Sequence, residues 1–75
     1  MKIQESAENY LEAILVLSNQ NGTVRSIDIA AYLQFSKPSV SRAMSLLRQN
    51  GYAEMDKDGL ITLTPKGLEI AERVY

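Results

Sequence analysis

Apolar residues fall at Ala7, Tyr10, Leu11, Ile14 and Leu17, the i, i+3, i+4, i+7 spacing by which a helix buries one stripe. This predicts a first helix from about Ser6 to Asn19, with Ser6 as N-cap and Asn21-Gly22 as the stop. Thr23 to Arg25 follow as a brief extended piece. Ser26 then predicts the N-cap of a second helix of roughly two turns. Asp28 in its first turn complements the helix dipole, and Ile29, Ala30 and Leu33 face inward. A tight Gln34-Phe35-Ser36 connection leads to a third helix that runs to about Asn50 and stops at Gly51, suited to the left-handed position past a helix end. Ser36 or Lys37 caps it, and Pro38 fits the first turn, where a missing N–H costs nothing.

The third helix has two well-separated faces. Val40, Ala43, Met44 and Leu47 form the apolar stripe, while Pro38, Ser41, Arg42, Ser45, Arg48 and Gln49 fall on the other side. Beyond it the period shortens to two: Tyr52 to Asp56 and Leu60 to Thr64 alternate, with Ala53, Met55, Ile61 and Leu63 on one side and Lys57-Asp58-Gly59 as the hairpin tip. Thr64 and Pro65 start a last helix as N-cap and first residue, with Leu68, Ala71, Val74 and Tyr75 on one stripe. A lone two-stranded hairpin is marginal in water, so it must pack on the helices, with Val24 as a minimal third strand. The order α, short β, α, α, β-hairpin, α is a mainly α (α+β) layout, that of a winged helix-turn-helix.

Composition narrows the chemistry. The chain of 75 residues contains no His, Cys or Trp, which rules out disulfide staples and removes the usual zinc ligands and most near-neutral acid, base and nucleophile chemistry. No Gly-rich phosphate loop is present either, and no enzyme is expected. The longest apolar run, Ala13 to Leu17, is far short of the ~20 residues that span a bilayer, so the expected location is cytoplasmic and no membrane partner is expected. Overall charge is nearly balanced, 8 Lys and Arg against 9 Asp and Glu, but the cations cluster. Between residues 24 and 50, Arg25, Lys37, Arg42 and Arg48 face Asp28 alone, whereas acids outnumber bases in the segments on either side. This distribution suits an anionic polymer.

Two short helices joined by a three- or four-residue turn can place the second in a major groove about 12 Å wide. Here that helix opens Ser36-Lys37-Pro38-Ser39-Val40-Ser41-Arg42. Its N-terminal N–H groups favour a phosphate, Ser39 and Ser41 are short enough to let the helix approach base edges, and Arg42 can pair bidentately with guanine. Lys57 at the hairpin tip and Arg25 or Ser26 at the start of the preceding helix would touch backbone phosphate. The candidate DNA-binding set is therefore Arg25, Ser26, Ser36, Lys37, Pro38, Ser39, Ser41, Arg42, Ser45 and Lys57.

Four runs, Glu8-Asn9-Tyr10-Leu11-Glu12-Ala13-Ile14, Gly22-Thr23-Val24-Arg25 with Asp28-Ile29-Ala30, Ser36-Lys37-Pro38-Ser39-Val40-Ser41, and Leu63-Thr64-Pro65-Lys66-Gly67, together resemble the N-terminal DNA-binding domain of the diphtheria-toxin repressor family of iron- and manganese-dependent regulators. The resemblance covers essentially the whole chain, and the opening Glu-Asn-Tyr-Leu-Glu run is its most specific part. It implies a homodimeric repressor in which Mn²⁺ or Fe²⁺ promotes binding to a palindromic double-stranded operator. It also implies metal ligands on the first helix, where the matching positions are Asn9 and Glu12. Position 9 is an amide where relatives place an acid or a methionine, and the family's remaining ligands, histidines included, would lie beyond Tyr75. No metal is expected on this chain alone. The uncapped apolar stripe ending at Tyr75 carries the further expectation that residues 1–75 form the N-terminal domain of a longer regulator. Two other readings stand beside this one: a winged-helix module that binds another protein and not DNA, and a winged-helix regulator that needs no metal.

Overall fold

The computed structural model describes residues 3–74, with the side chains of residues 7–73. The chain runs α1 (Ile3–Asn21), α2 (Ser26–Leu33), α3 (Lys37–Gln49), β1 (Ala53–Met55), β2 (Ile61–Leu63) and α4 (Pro65–Val74). This is the winged helix-turn-helix order expected from the sequence, less the short strand expected between the first two helices. Helix α1 is central and touches α2, α3, α4 and β2. Its stripe of Tyr10, Leu11, Ala13, Ile14 and Leu17 meets Val24, Ile29, Val40, Met44, Leu47, Ala53, Ile61 and Ala71 in one buried cluster. Helices α2, α3 and α4 and strand β2 thus each hide a face against α1, which is how so short a chain closes a core without a crosslink. Among the described residues no helix is long and apolar enough to cross a membrane.

The strands pair antiparallel, Ala53 with Leu63, Glu54 with Thr62 and Met55 with Ile61. They are shorter at both ends than the alternation suggests. At one end the chain turns inward at Tyr52 to close α3; at the other, Asp56 Oδ1 accepts the Asp58 and Leu60 N–H groups at 2.9 Å each. Gly59, at φ +84°, completes that tip. Val24 is not a strand, yet its carbonyl accepts the Ile61 N–H at 2.7 Å and supplies one bond to the sheet edge.

Three local expectations are corrected. Helix α1 begins at Ile3, so Ser6 lies within it rather than capping it. Helix α2 is capped by Arg25, not Ser26: the Asp28 carboxylate accepts the Arg25 backbone N–H at 2.9 Å, leaving Ser26 as the first helical residue. On α4 the buried positions are Gly67 and Ala71 with Ile70 half-buried, whereas Leu68 points outward. The stripe is rotated because Gly67 must lie against the Tyr52 carbonyl; the Val74 side chain and Tyr75 lie outside the described residues.

Candidate nucleic-acid interface

The turn between α2 and α3 has three residues, and its first does the bending. Gln34 sits at φ 60°, ψ 41°, the left-handed conformation usually left to glycine, and the Phe35 N–H returns to the Ala30 carbonyl at 3.1 Å. Ser36 follows in extended conformation as the N-cap of α3, its Oγ accepting the Ser39 N–H at 3.3 Å. The Ser36 hydroxyl also donates to Ser39 Oγ at 2.9 Å. Both hydroxyls are therefore engaged in starting the helix. With Pro38 lacking an N–H and the Ser39 amide capped, the Lys37 amide and ammonium are left to meet an anion at this helix end.

Helix α3 presents the faces that its spacing predicts. Val40, Met44 and Leu47 are buried and Ala43 is half-buried, while Pro38, Ser41, Arg42, Ser45, Arg48 and Gln49 are exposed. Its C-terminal end is firmly closed: the Gly51 N–H bonds the Arg48 carbonyl at 3.2 Å and the Tyr52 N–H bonds the Leu47 carbonyl at 2.9 Å, with Gly51 at φ +80°. Exposed small hydroxyls and guanidiniums thus share one side of a rigid helix.

Arg25, Lys37, Arg42, Arg48 and Lys57 are all exposed. Among the described residues the one ion pair is Arg73 with Glu69, at 3.4 Å on α4, so the cations of the candidate set make no intramolecular ion pair there. Lys66 is differently employed: its Nζ donates to the Asn50 carbonyl at 3.3 Å and lies 4.6 Å from the Tyr52 ring centroid. Ser26, Lys37 and Ser41 converge on an open cleft of about 270 Å³ between the starts of α2 and α3, with Ile27 as its apolar wall. Lys57 stands apart at the hairpin tip, and Arg25 at the head of α2. Ile27, 56% exposed, is a member of this surface that charge and hydroxyl content did not single out. Its signal was an apolar residue off the inward spacing of α2.

Asn9 is exposed and Glu12 half-buried on α1, three residues apart. Two oxygen donors one turn apart fall short of the octahedral set that Mn²⁺ prefers. Among the described residues no three acids, histidines or cysteines converge. Asn9 and Glu12 by themselves do not fit the ion.

Comparison with known proteins agrees with this architecture. Residues 2–67 match the family described as iron dependent repressor, N-terminal DNA binding domain. The HTH-type transcriptional regulator MntR of Geobacillus thermodenitrificans is 35% identical over 69 residues, covering 92% of this chain and 49% of that protein. MntR of Lysinibacillus sphaericus shows the same 35% identity, over 92% of this chain and 50% of its own length. The chain thus spans about half the length of these relatives. Among solved structures, MepR, a transcription regulator of the Staphylococcus aureus multidrug efflux pump MepA, superposes with a TM-score of 0.66 at 25% identity, covering 89% of this chain and 52% of the other. The S. aureus MepR–DNA complex gives 0.63 at 27% identity, over 88% of this chain and 50% of the other. The fold, the three-residue turn and the match over residues 2–67 lead to one assignment: the chain belongs to the iron-dependent repressor N-terminal DNA-binding domain family.

Proposed function

We propose that this chain is the sequence-reading part of a transcriptional repressor, with α3 lying in the major groove of duplex DNA and the β1–β2 hairpin against the backbone. The observation that carries this reading is the outer face of α3, where Ser41, Arg42 and Ser45 are exposed together on a helix capped at both ends. Arg42 is the base-reading candidate. Arg25, Ser26 and Lys37, at the starts of α2 and α3, are phosphate candidates, and Lys57 is the wing contact. Ser36 and Ser39 act by fixing the first turn of α3, with Pro38 beside them setting its φ.

The chain's dimensions, 28 × 24 × 22 Å, let one domain occupy each half of a palindromic site whose halves lie about 34 Å apart. A homodimer of a longer protein would supply that pairing. Response to Mn²⁺ or Fe²⁺ belongs to the same longer protein, with Asn9 and Glu12 as two of the ligand candidates. The cytoplasm, where such an operator lies, is the location this reading requires.

The test is a binding titration with a duplex enriched from a random-sequence pool on the wild-type chain. Log affinity should fall linearly with log salt, by about 0.9 per phosphate neutralised. Arg42→Ala should cost about 1–3 kcal/mol and relax preference at one position, while Lys57→Ala should lower the salt slope by about 1 and leave sequence preference intact. Titrations unmoved by both substitutions would refute this docking mode. They would favour instead a protein-binding module using exposed Ile27, Tyr32 and Leu46.

A further inference from the structure

Among the described residues Ile27 is the most exposed large apolar side chain. A single exposed apolar residue is ordinary on a protein surface, but the surroundings of this one are not. Ile27 is the second residue of α2 and forms the apolar wall of the open cleft whose other lining residues are Ser26, Lys37 and Ser41. Lys37 and Ser41 are four apart on α3 and both exposed, so they lie on one face of that helix. The cleft therefore opens directly beside the first turns of the outer face of α3.

Its rim carries one cation and two hydroxyls, and Asp28, the acid nearest in sequence, has its carboxylate turned onto the Arg25 amide at 2.9 Å. Its wall is hydrocarbon. An occupant that suits both must bring an anion next to a small apolar group. Duplex DNA offers this pairing in the major groove, where thymine alone of the four bases presents a methyl group, and the strand phosphates run along the groove edge. Ile27 is branched at Cβ, which in a helix holds χ1 close to one rotamer. Little side-chain freedom is then lost when its methyls meet another apolar group, and that contact removes a hydrated hydrocarbon surface from water.

We propose that Ile27 is a specificity-determining residue that seats the C5-methyl group of one thymine in the recognised sequence, beside the phosphate assigned to Lys37. This rests on the duplex-binding reading above. The test is a methyl scan of the duplex enriched on the wild-type chain, with each thymidine replaced in turn by deoxyuridine, which removes the methyl and keeps every hydrogen-bonding group. At one position of the half-site the wild-type affinity should fall about fourfold, the worth of one buried methyl. With Ile27→Ala the same replacement should change nothing, and the melting temperature of this variant should stay close to wild type because the side chain is exposed. A contact between Ile27 and deoxyribose carbons, or a role in the fold alone, would make Ile27→Ala weaken the thymidine and deoxyuridine duplexes equally. That result, or the absence of any position whose methyl effect depends on Ile27, overturns the proposal while leaving the duplex-binding reading standing. A wild-type chain that enriches no duplex at all overturns both.

Discussion

Substituting Gly67 by Ala should destabilise the domain, although alanine is the better helix former by about 1 kcal/mol. Gly67 is buried in the first turn of α4, where that helix crosses the chain leaving α3. A Cβ built there overlaps the Tyr52 carbonyl oxygen and lies 2.9 Å from its carbonyl carbon and 3.3 Å from its Cα, all of them backbone atoms with no rotamer to escape into. The same crossing carries three hydrogen bonds: Thr64 N–H to the Tyr52 carbonyl at 3.1 Å, the Thr64 hydroxyl to the Gly51 carbonyl at 2.6 Å, and Gly67 N–H to Thr64 Oγ1 at 3.1 Å. Relief requires α4 to back away, at an overpacking cost of about 1–3 kcal/mol. One or two weakened bonds add about 0.5–1.5 kcal/mol each. Less the propensity gain, the net loss is about 0.5–5 kcal/mol with its centre near 2–3, and that central loss in a domain of this size lowers the melting temperature by roughly 8–24 °C. Thermal melts followed by circular dichroism at 222 nm measure it. A Gly67→Ala variant as stable as wild type, or more so, would refute the close approach that joins α4 to the end of α3.

Gln34→Gly should act in the opposite direction. Removing the left-handed strain of a side-chain-bearing residue gains about 1–2 kcal/mol, offset by about 0.4–1 kcal/mol of added freedom in the unfolded chain, so the urea midpoint should rise. A midpoint that falls would show that the Gln34 side chain contributes more than its backbone costs. Tyr10 also gives the domain an alkaline limit. Because burial raises its folded pKa, the folded state holds that proton more tightly, and the resulting stability is present below pH about 10 and lost as pH rises through the folded value. Urea midpoints at neutral pH and near pH 11 should therefore drop further for wild type than for Tyr10→Phe; equal drops would contradict the burial of the phenol.

The sequence carried α3 almost completely. Ser36-Lys37-Pro38 marks its start, Asn50-Gly51 its end, and the 3.6-residue period separates Val40, Met44 and Leu47 from Ser41, Arg42 and Ser45 without tertiary information. Element ends were harder to read wherever a distant or unexpected partner decides them. Ser26 has the residue type of an N-cap, but the Asp28 carboxylate takes the Arg25 amide and moves the cap back by one. Leu68 fits an apolar stripe on spacing alone, yet backbone contact at Gly67 rotates α4 away from it. The left-handed turn at Gln34 had no local signal, because no glycine announces it. On the candidate surface, charge and hydroxyl content pointed to Ser26, Lys37 and Ser41, which the fold gathers around one cleft, but not to Ile27 on its wall. The pairing of Tyr10 with Phe35 joins residues 25 apart in the chain and became visible only in three dimensions.

The claim on which the functional account depends is that nucleic acid meets the outer face of α3. Backbone amide shifts of the isotope-labelled chain, recorded on adding the enriched duplex, test it directly. The predicted result is perturbation concentrated from Lys37 to Ser45, at Ser26 and at the hairpin tip around Lys57, with α4 largely unmoved. Shifts centred on α4 and the outer side of α1, with residues 37–45 unchanged, would contradict the account.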